Sequence, residues 1–290
     1  MSADAATAAG RTAVPSQPGA GPSPSVKASQ EGRPSLASTQ LNPQTPPTRN
    51  SKRVLVTGVE HPEGAYAART LGRHGFDVIA HSFISEAAEQ IAHDITGIGG
   101  RATAAVADLT IHGEVDRLFT GIEDTHGHID TVIHAAWIPG PESTGTPLQS
   151  IHPHDWDRFL HAHLRMLFTT VRRAMQSMSD RNRAGSIVTV VGVDRSAADT
   201  RESTLTRQVI DGAIEAFTAA AAHDISARTV QVNTIRLVDE LPSPEFPDEH
   251  ITPDFDTALV FLADPAHHIW SGKVLSAPAP APAVRFVAVH

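Results

Sequence analysis

Between residues 53 and 276 short apolar runs alternate with longer stretches whose apolar positions recur every three to four residues. Residues 53–68 predict a strand, a sharp turn and the start of a helix. Further runs at 76–81, 101–107, 130–134, 186–193 and 230–235 predict strands, and 273–276 predicts a final edge strand. Helical patterns at 86–95, 113–125, 155–178, 205–223 and 254–263 separate most of them. The longest carries Phe159, Leu160, Leu164, Leu167, Phe168, Val171 and Met175 at helical spacing. The run at 186–193 is rich in Val and Ile, as a strand covered on both faces should be. Strand and helix alternating in this order predict an α/β fold, a doubly wound parallel sheet in a single domain.

Composition sets the boundaries of that domain. Residues 1–51 are dominated by Ala, Ser, Pro, Gly, Thr and Gln, too poor in large apolar groups to offset the entropy of ordering, and predict a disordered tail. The folded domain is expected at 52–277, with 278–290 as an extension that begins with an Ala-Pro spacer and ends on alternating apolar residues suited to a sheet edge or a free tail. There is no cysteine, which excludes disulfides, thiolate catalysis and Cys-based metal sites. A formal charge of −9 disfavours nucleic acid as a partner. The absence of a long apolar stretch disfavours a membrane, and the expected location is cytoplasmic. The chain has 17 histidines, but His161 and His163, two apart on a helix, point to different faces, so no metal is expected; His152, His154 and Asp155 are the nearest approach to a ligand set.

Several stretches carry a resemblance. Thr57-Gly58 and Gly64 fall where the short-chain dehydrogenase/reductase family has the first and third glycines of its Thr-Gly-x-x-x-Gly-x-Gly loop, and residues 69–78 read like its first helix and second strand. Asp108 in Ala-Asp-Leu-Thr, and the stretches 156–160, 232–233, 261–263 and 271–275, also match that family's wording in order. From residue 53 to about 276 the chain therefore resembles this family, which implies a Rossmann-like fold. It also implies an NAD(P) site built from Thr57, Gly58, Gly64, Ser82 and Asp108, and a dimer or tetramer paired through the long helices at 155–178 and 205–223.

The chemical positions depart from the family pattern. Alignment places Arg207 and Asp211 where the family has its catalytic Tyr and Lys, and the chain's single tyrosine, Tyr66, lies on the first helix. Its lysines are Lys27, Lys52 and Lys273, so residues 53–272 contain none. The family's serine falls near Val191 and Gly192, its asparagine on His163, and its Asn-Asn-Ala-Gly reads His134-Ala135-Ala136-Trp137. Pro62, which has no N–H, replaces the middle glycine, and Ser82 provides neither a carboxylate for ribose nor a clamp for a 2′-phosphate. These changes weaken an NAD(P) site without removing it.

The crevice at the strand ends is expected to be lined by His134, Trp137, His163, Asp194, Arg195, Arg207, Asp211 and Arg236, ready for a small-molecule or nucleotide ligand. Arg207 and Asp211, four apart on a helix, predict an ion pair, while the cleft arginines could instead hold an anion. The leading expectation is a binding, regulatory or assembly subunit without the family's redox chemistry. Two alternatives stand beside it: a lyase, isomerase or cyclase using His134 and His163 as general acid and base, and an atypical NAD(P)-dependent oxidoreductase with a different proton donor.

Overall fold

The structure, a computed structural model, describes residues 51–138, 148–179, 183–192, 205–224, 229–238, 254–267 and 270–279. The sequence expectations for the tail and for 280–290, and the cleft positions Asp194 and Arg195, lie outside the described residues. The chain runs β1 (Arg53–Thr57), α1 (Pro62–Arg73), β2 (Asp77–Ser82), α2 (Ser85–Gly97), β3 (Arg101–Val106), α3 (Glu114–His126) and β4 (Thr131–His134). It continues through α4 (Pro153–Ser179), β5 (Gly185–Gly192), α5 (Leu205–Asp224), β6 (Val230–Val238), α6 (Phe255–Ala263) and β7 (Val274–Pro278).

The seven strands form one parallel sheet in the order β3-β2-β1-β4-β5-β6-β7. The strand alternation decides the layers. Val54 and Val56 of β1 face one core with Leu71 of α1, Ile91 and Ile95 of α2, and Leu259 of α6. Leu55, between them, faces the other core with Phe119 of α3 and Leu167 and Val171 of α4. Both faces of β1 are thus dry, which explains its unbroken apolar wording. β7 is an edge strand, as expected. β6 runs three residues past its expected end because Val238 still finds Pro278 of β7 in register.

At the amino end of the sheet Arg53 joins three strands. Its N–H donates to the Asp130 carboxylate at 2.7 Å, just before β4, and its guanidinium donates to Asp77 of β2 at 2.9 and 3.2 Å and to the His128 carbonyl at 3.1 Å. At the carboxyl end the order reverses at β1, which has β2 on one side and β4 on the other. Such a switch point opens a crevice between diverging loops, and the candidate residues converge there. Among the described residues no helix is long and apolar enough to cross a membrane.

Candidate functional site

The turn after β1 is held by close backbone packing. Gly58 has φ +78°, and a Cβ on it would lie 2.5 Å from the Ala136 Cα, beyond the end of β4. A Cβ on Gly64 would lie 2.2 Å from the Gly58 carbonyl oxygen. Both glycines are therefore required for the turn to close. Pro62 occupies the first position of α1, where a fixed φ suits the helix and its missing N–H has no intrahelical partner to lose. The substitution that looked disruptive in the sequence is thus a helix start, although it still removes one amide from the mouth of the crevice.

Glu60 sits inside this turn with its side chain 9% exposed. Burial pushes its carboxyl above the usual range, against hydrogen bonds from its own backbone and from Ser82 at the end of β2. Oε2 of Glu60 is buried and has no hydrogen-bond partner. Ser82 Oγ also accepts the Ile84 N–H at 2.9 Å. Asp108, after β3, caps its own turn: Oδ1 accepts from the Thr110 N–H at 2.9 Å and from its hydroxyl at 2.6 Å.

Under the crevice lies a floor of neutral histidines. Thr57 pairs in register with His81 on one side and His134 on the other, and its hydroxyl lies 3.1 Å from His134 Nδ1. Burial lowers the His134 pKa to about 3, with His81 and His163 adding to the shift. His81 is lowered to about 4, again chiefly by burial, partly offset by the Ala107 carbonyl 3.1 Å from Nε2. His163 on α4 accepts the Ile138 N–H at Nε2, 2.8 Å away, which leaves its proton on Nδ1 to donate to the Phe159 carbonyl at 3.1 Å. Its pKa falls to about 4, mainly by burial. Both nitrogens of His163 thus hold backbone, joining the segment after β4 to α4.

On the far side, Arg207 of α5 is buried, and its Nε donates to Asp211 Oδ1 at 3.0 Å. Its guanidinium lies 4.8 Å from the centre of the Trp137 ring. The Trp137 ring packs on His61 tilted at 38°, with ring centres 5.1 Å apart, and His61 Nε2 is 2.9 Å from the Trp137 carbonyl oxygen. His61, Trp137 and Arg207 thus form a side-chain bridge across the crevice, from the β1–α1 turn to α5. Burial raises Asp211 to about 6, and Glu215 adds to the shift while Arg207 and the Gly192 backbone oppose it. Arg236 is half-exposed and pairs with Glu215 through both carboxylate oxygens.

This sheet order and glycine turn match one family over most of the described domain. The sequence model for short chain dehydrogenases matches residues 52–238. The chain belongs to this family. The 3-oxoacyl-acyl-carrier-protein reductase FabG of Chlamydia pneumoniae is 26% identical over 187 residues, covering 63% of this chain and 71% of the relative. The gluconate 5-dehydrogenase of Gluconobacter oxydans is 27% identical over 181 residues, covering 62% and 68%. Among solved structures, a gluconate 5-dehydrogenase from Burkholderia cenocepacia in complex with NADP and tartrate superposes with a TM-score of 0.63. It is 22% identical and covers 78% of this chain and 93% of its own, so this likeness concerns the fold.

Within this short-chain dehydrogenase fold, the structure brings Arg207, Asp211 and Trp137 together and keeps Ser82 and Asp108 on the β2–β3 side. Tyr66 packs on Phe255, with ring centres 5.7 Å apart. His152 Nδ1 accepts the His154 N–H at 3.1 Å, and among the described residues no group of three His, Asp or Glu could hold a metal ion. Sequence reasoning passed over Glu60, His61 and His81. An acidic residue inside a glycine turn that the resemblance assigns to a phosphate was the available signal for the first.

Proposed function

We propose that this chain is a short-chain-dehydrogenase-fold binding, regulatory or assembly subunit that no longer performs NAD(P)-dependent carbonyl or alcohol redox chemistry. The observation that carries the reading is the Arg207–Asp211 pair beneath Trp137, at the positions the resemblance gives to Tyr and Lys. Reduction of a carbonyl needs a proton donor beside the substrate oxygen and, in this family, a cation at the cofactor ribose. Here the cation is neutralised by Asp211 and covered by an indole, and the single phenol packs on Phe255. The His61–Trp137–Arg207 bridge crosses from the β1–α1 turn to α5 beside the positions that the resemblance gives to Tyr and Lys. We expect no metal.

The test is turnover of NADH and NADPH against a panel of aldehydes, ketones and alcohols, with no rate above background expected. A rate abolished by Arg207→Ala would overturn the reading.

One observation favours a second reading, the atypical oxidoreductase. Asp211, with its pKa raised to about 6, holds a proton close to neutral pH and could supply it where the family uses tyrosine. Turnover lost in Asp211→Asn, with wild-type activity falling as pH rises through about 6, would establish it. The non-redox reading through His134 and His163 draws less support, since His163 has both nitrogens engaged.

The remaining features belong to the same proposal: a cytoplasmic protein with a disordered tail at 1–51, a domain at 52–277 and an extension at 278–290. It pairs with a second copy through α4 and α5, where Leu164, Phe168, Leu205 and Val209 are exposed.

A further inference from the structure

The backbone around Trp137 is pinned at three points. The Ala135 N–H donates to the Thr57 carbonyl at 3.3 Å, His61 Nε2 donates to the Trp137 carbonyl at 2.9 Å, and the Ile138 N–H donates to His163 Nε2 at 2.8 Å. A carbonyl only accepts, so His61 carries a proton on Nε2, and its neutral and charged forms both keep that donor. The His61 contact therefore survives a change of pH. His163, with its pKa lowered to about 4, remains an acceptor well above that value.

The contact at the α5 end is of another kind. The Arg207 guanidinium over the indole belongs to a residue only 7% exposed, and Asp211 holds its Nε at 3.0 Å. A buried cation is strongly disfavoured once its anion is neutralised. The charge on Asp211 is itself contested. Burial and Glu215, one turn further along α5, oppose it, while Arg207, the Gly192 backbone at the end of β5 and Arg236 of β6 favour it; burial prevails and lifts the pKa to about 6. Glu215 is in no position to replace Asp211 as the anion, because Arg236 engages both of its oxygens. From α4, His163 faces Arg207 and is neutral.

We propose that the α5 end of the bridge is a proton-operated latch: protonation of Asp211 sends the Arg207 side chain out toward solvent and uncovers the Trp137 ring, while the ring stays where its backbone holds it. The driving force is the hydration that a guanidinium regains when no carboxylate keeps it in the protein. The uncovered indole is then a stacking surface for a planar group at mildly acid pH, and a covered one at alkaline pH. This consequence for a ligand rests on the reading of the crevice as a binding site; the latch does not.

The experiment uses the full chain with Trp156→Phe and Trp270→Phe, which leaves Trp137 as the sole tryptophan. Quenching of its fluorescence by acrylamide, a neutral probe of access, is followed from about pH 8 to about pH 5.5, with far-UV circular dichroism recorded alongside. The quenching constant should rise about twofold with a midpoint near pH 6, at constant dichroism. Asp211→Asn, which has no charge to lose, should be readily quenched throughout and show no midpoint. Glu215→Gln removes a like charge and releases Arg236, so it should lower the midpoint by about 0.5–1 pH unit. His61→Gln keeps a side-chain donor and should keep the midpoint. A flat profile in the parent, a midpoint that persists in Asp211→Asn or vanishes in His61→Gln, or a rise that accompanies loss of dichroism overturns the proposal. If Asp211→Asn does not fold, a midpoint unmoved by Glu215→Gln overturns it equally. NADH turnover would defeat the non-redox reading and leave the latch standing.

Discussion

The two sides of the crevice deal with buried charge in opposite ways. On the α5 side each cation has a carboxylate: Arg207 is matched by Asp211 and covered by Trp137, and Arg236 is matched by Glu215. On the β2 side Glu60 is buried beside Ser82, with His61 Nε2 3.5 Å from Oε1, and keeps Oε2 without a hydrogen-bond partner. A charge-paired cluster resists a ligand, because entry requires breaking contacts already made. An incomplete one favours a ligand, because entry supplies a contact that is missing. The crevice thus has one end where buried cations meet carboxylates and another where a buried carboxylate meets no cation of its own strength.

The largest perturbation should come from the histidine floor that both sides share. His81, His134 and His163 have pKa values depressed to about 4, 3 and 4, so below the ordinary histidine value the unfolded chain binds more protons than the folded one. Their neutral state is fully compatible with folding above about pH 6.5, and stability falls as pH drops from there toward those values. At pH 5 each histidine should cost about 2 kcal/mol, and the melting midpoint should fall by more than about 10 °C from its value at pH 7. Calorimetry across that range checks this, and a flat profile would contradict the buried floor.

Next in size, Arg207→Ala leaves the Asp211 carboxylate buried without its counter-charge and should destabilise by about 3–5 kcal/mol at pH 8. The loss should shrink at pH 5, where Asp211 is protonated; paired denaturation curves at the two pH values measure the difference. A smaller and more pointed effect is expected of Trp137→Gly, which removes the middle of the bridge. NAD+ should then gain about tenfold over ADP-ribose in calorimetric affinity, because its nicotinamide end finds the room the indole had occupied. Arg236→Ala should be the mildest, under about 1 kcal/mol by chemical denaturation, since that pair faces solvent and is screened. An effect as large as that of Arg207→Ala would place Arg236 in the buried cluster and erase the contrast between core and rim.

The fold could be read because its cause is periodic. The Arg-Val-Leu-Val-Thr run at β1 is apolar on both faces, and the α4 stripe through Phe159, Leu167 and Val171 repeats at helical spacing, so both elements are visible in local wording. The Arg207–Asp211 pair could be read for the same reason, being four residues apart on one helix. Glu60 with Ser82, and His61 with Trp137, could not, because each contact joins loops whose meeting depends on the sheet order. Pro62 illustrates the same limit. Counted as a missing glycine it looks like damage, but its place at the first position of α1 depends on where the helix begins.

The sheet order also bears on how the chain is made. β1 lies between β2 and β4, and Thr57 and His134, which form one floor contact, are 77 residues apart. At ribosomal speeds the segment carrying Gly58 must wait roughly 4 to 15 s for Ala136 and β4 to be synthesised. Until then one long edge of β1 is bare and Gly58 has no wall to close against. The nascent chain is thus most exposed to mispairing in that interval, and a synonymous change that slows translation between residues 60 and 134 would lengthen it without altering one atom of the finished protein.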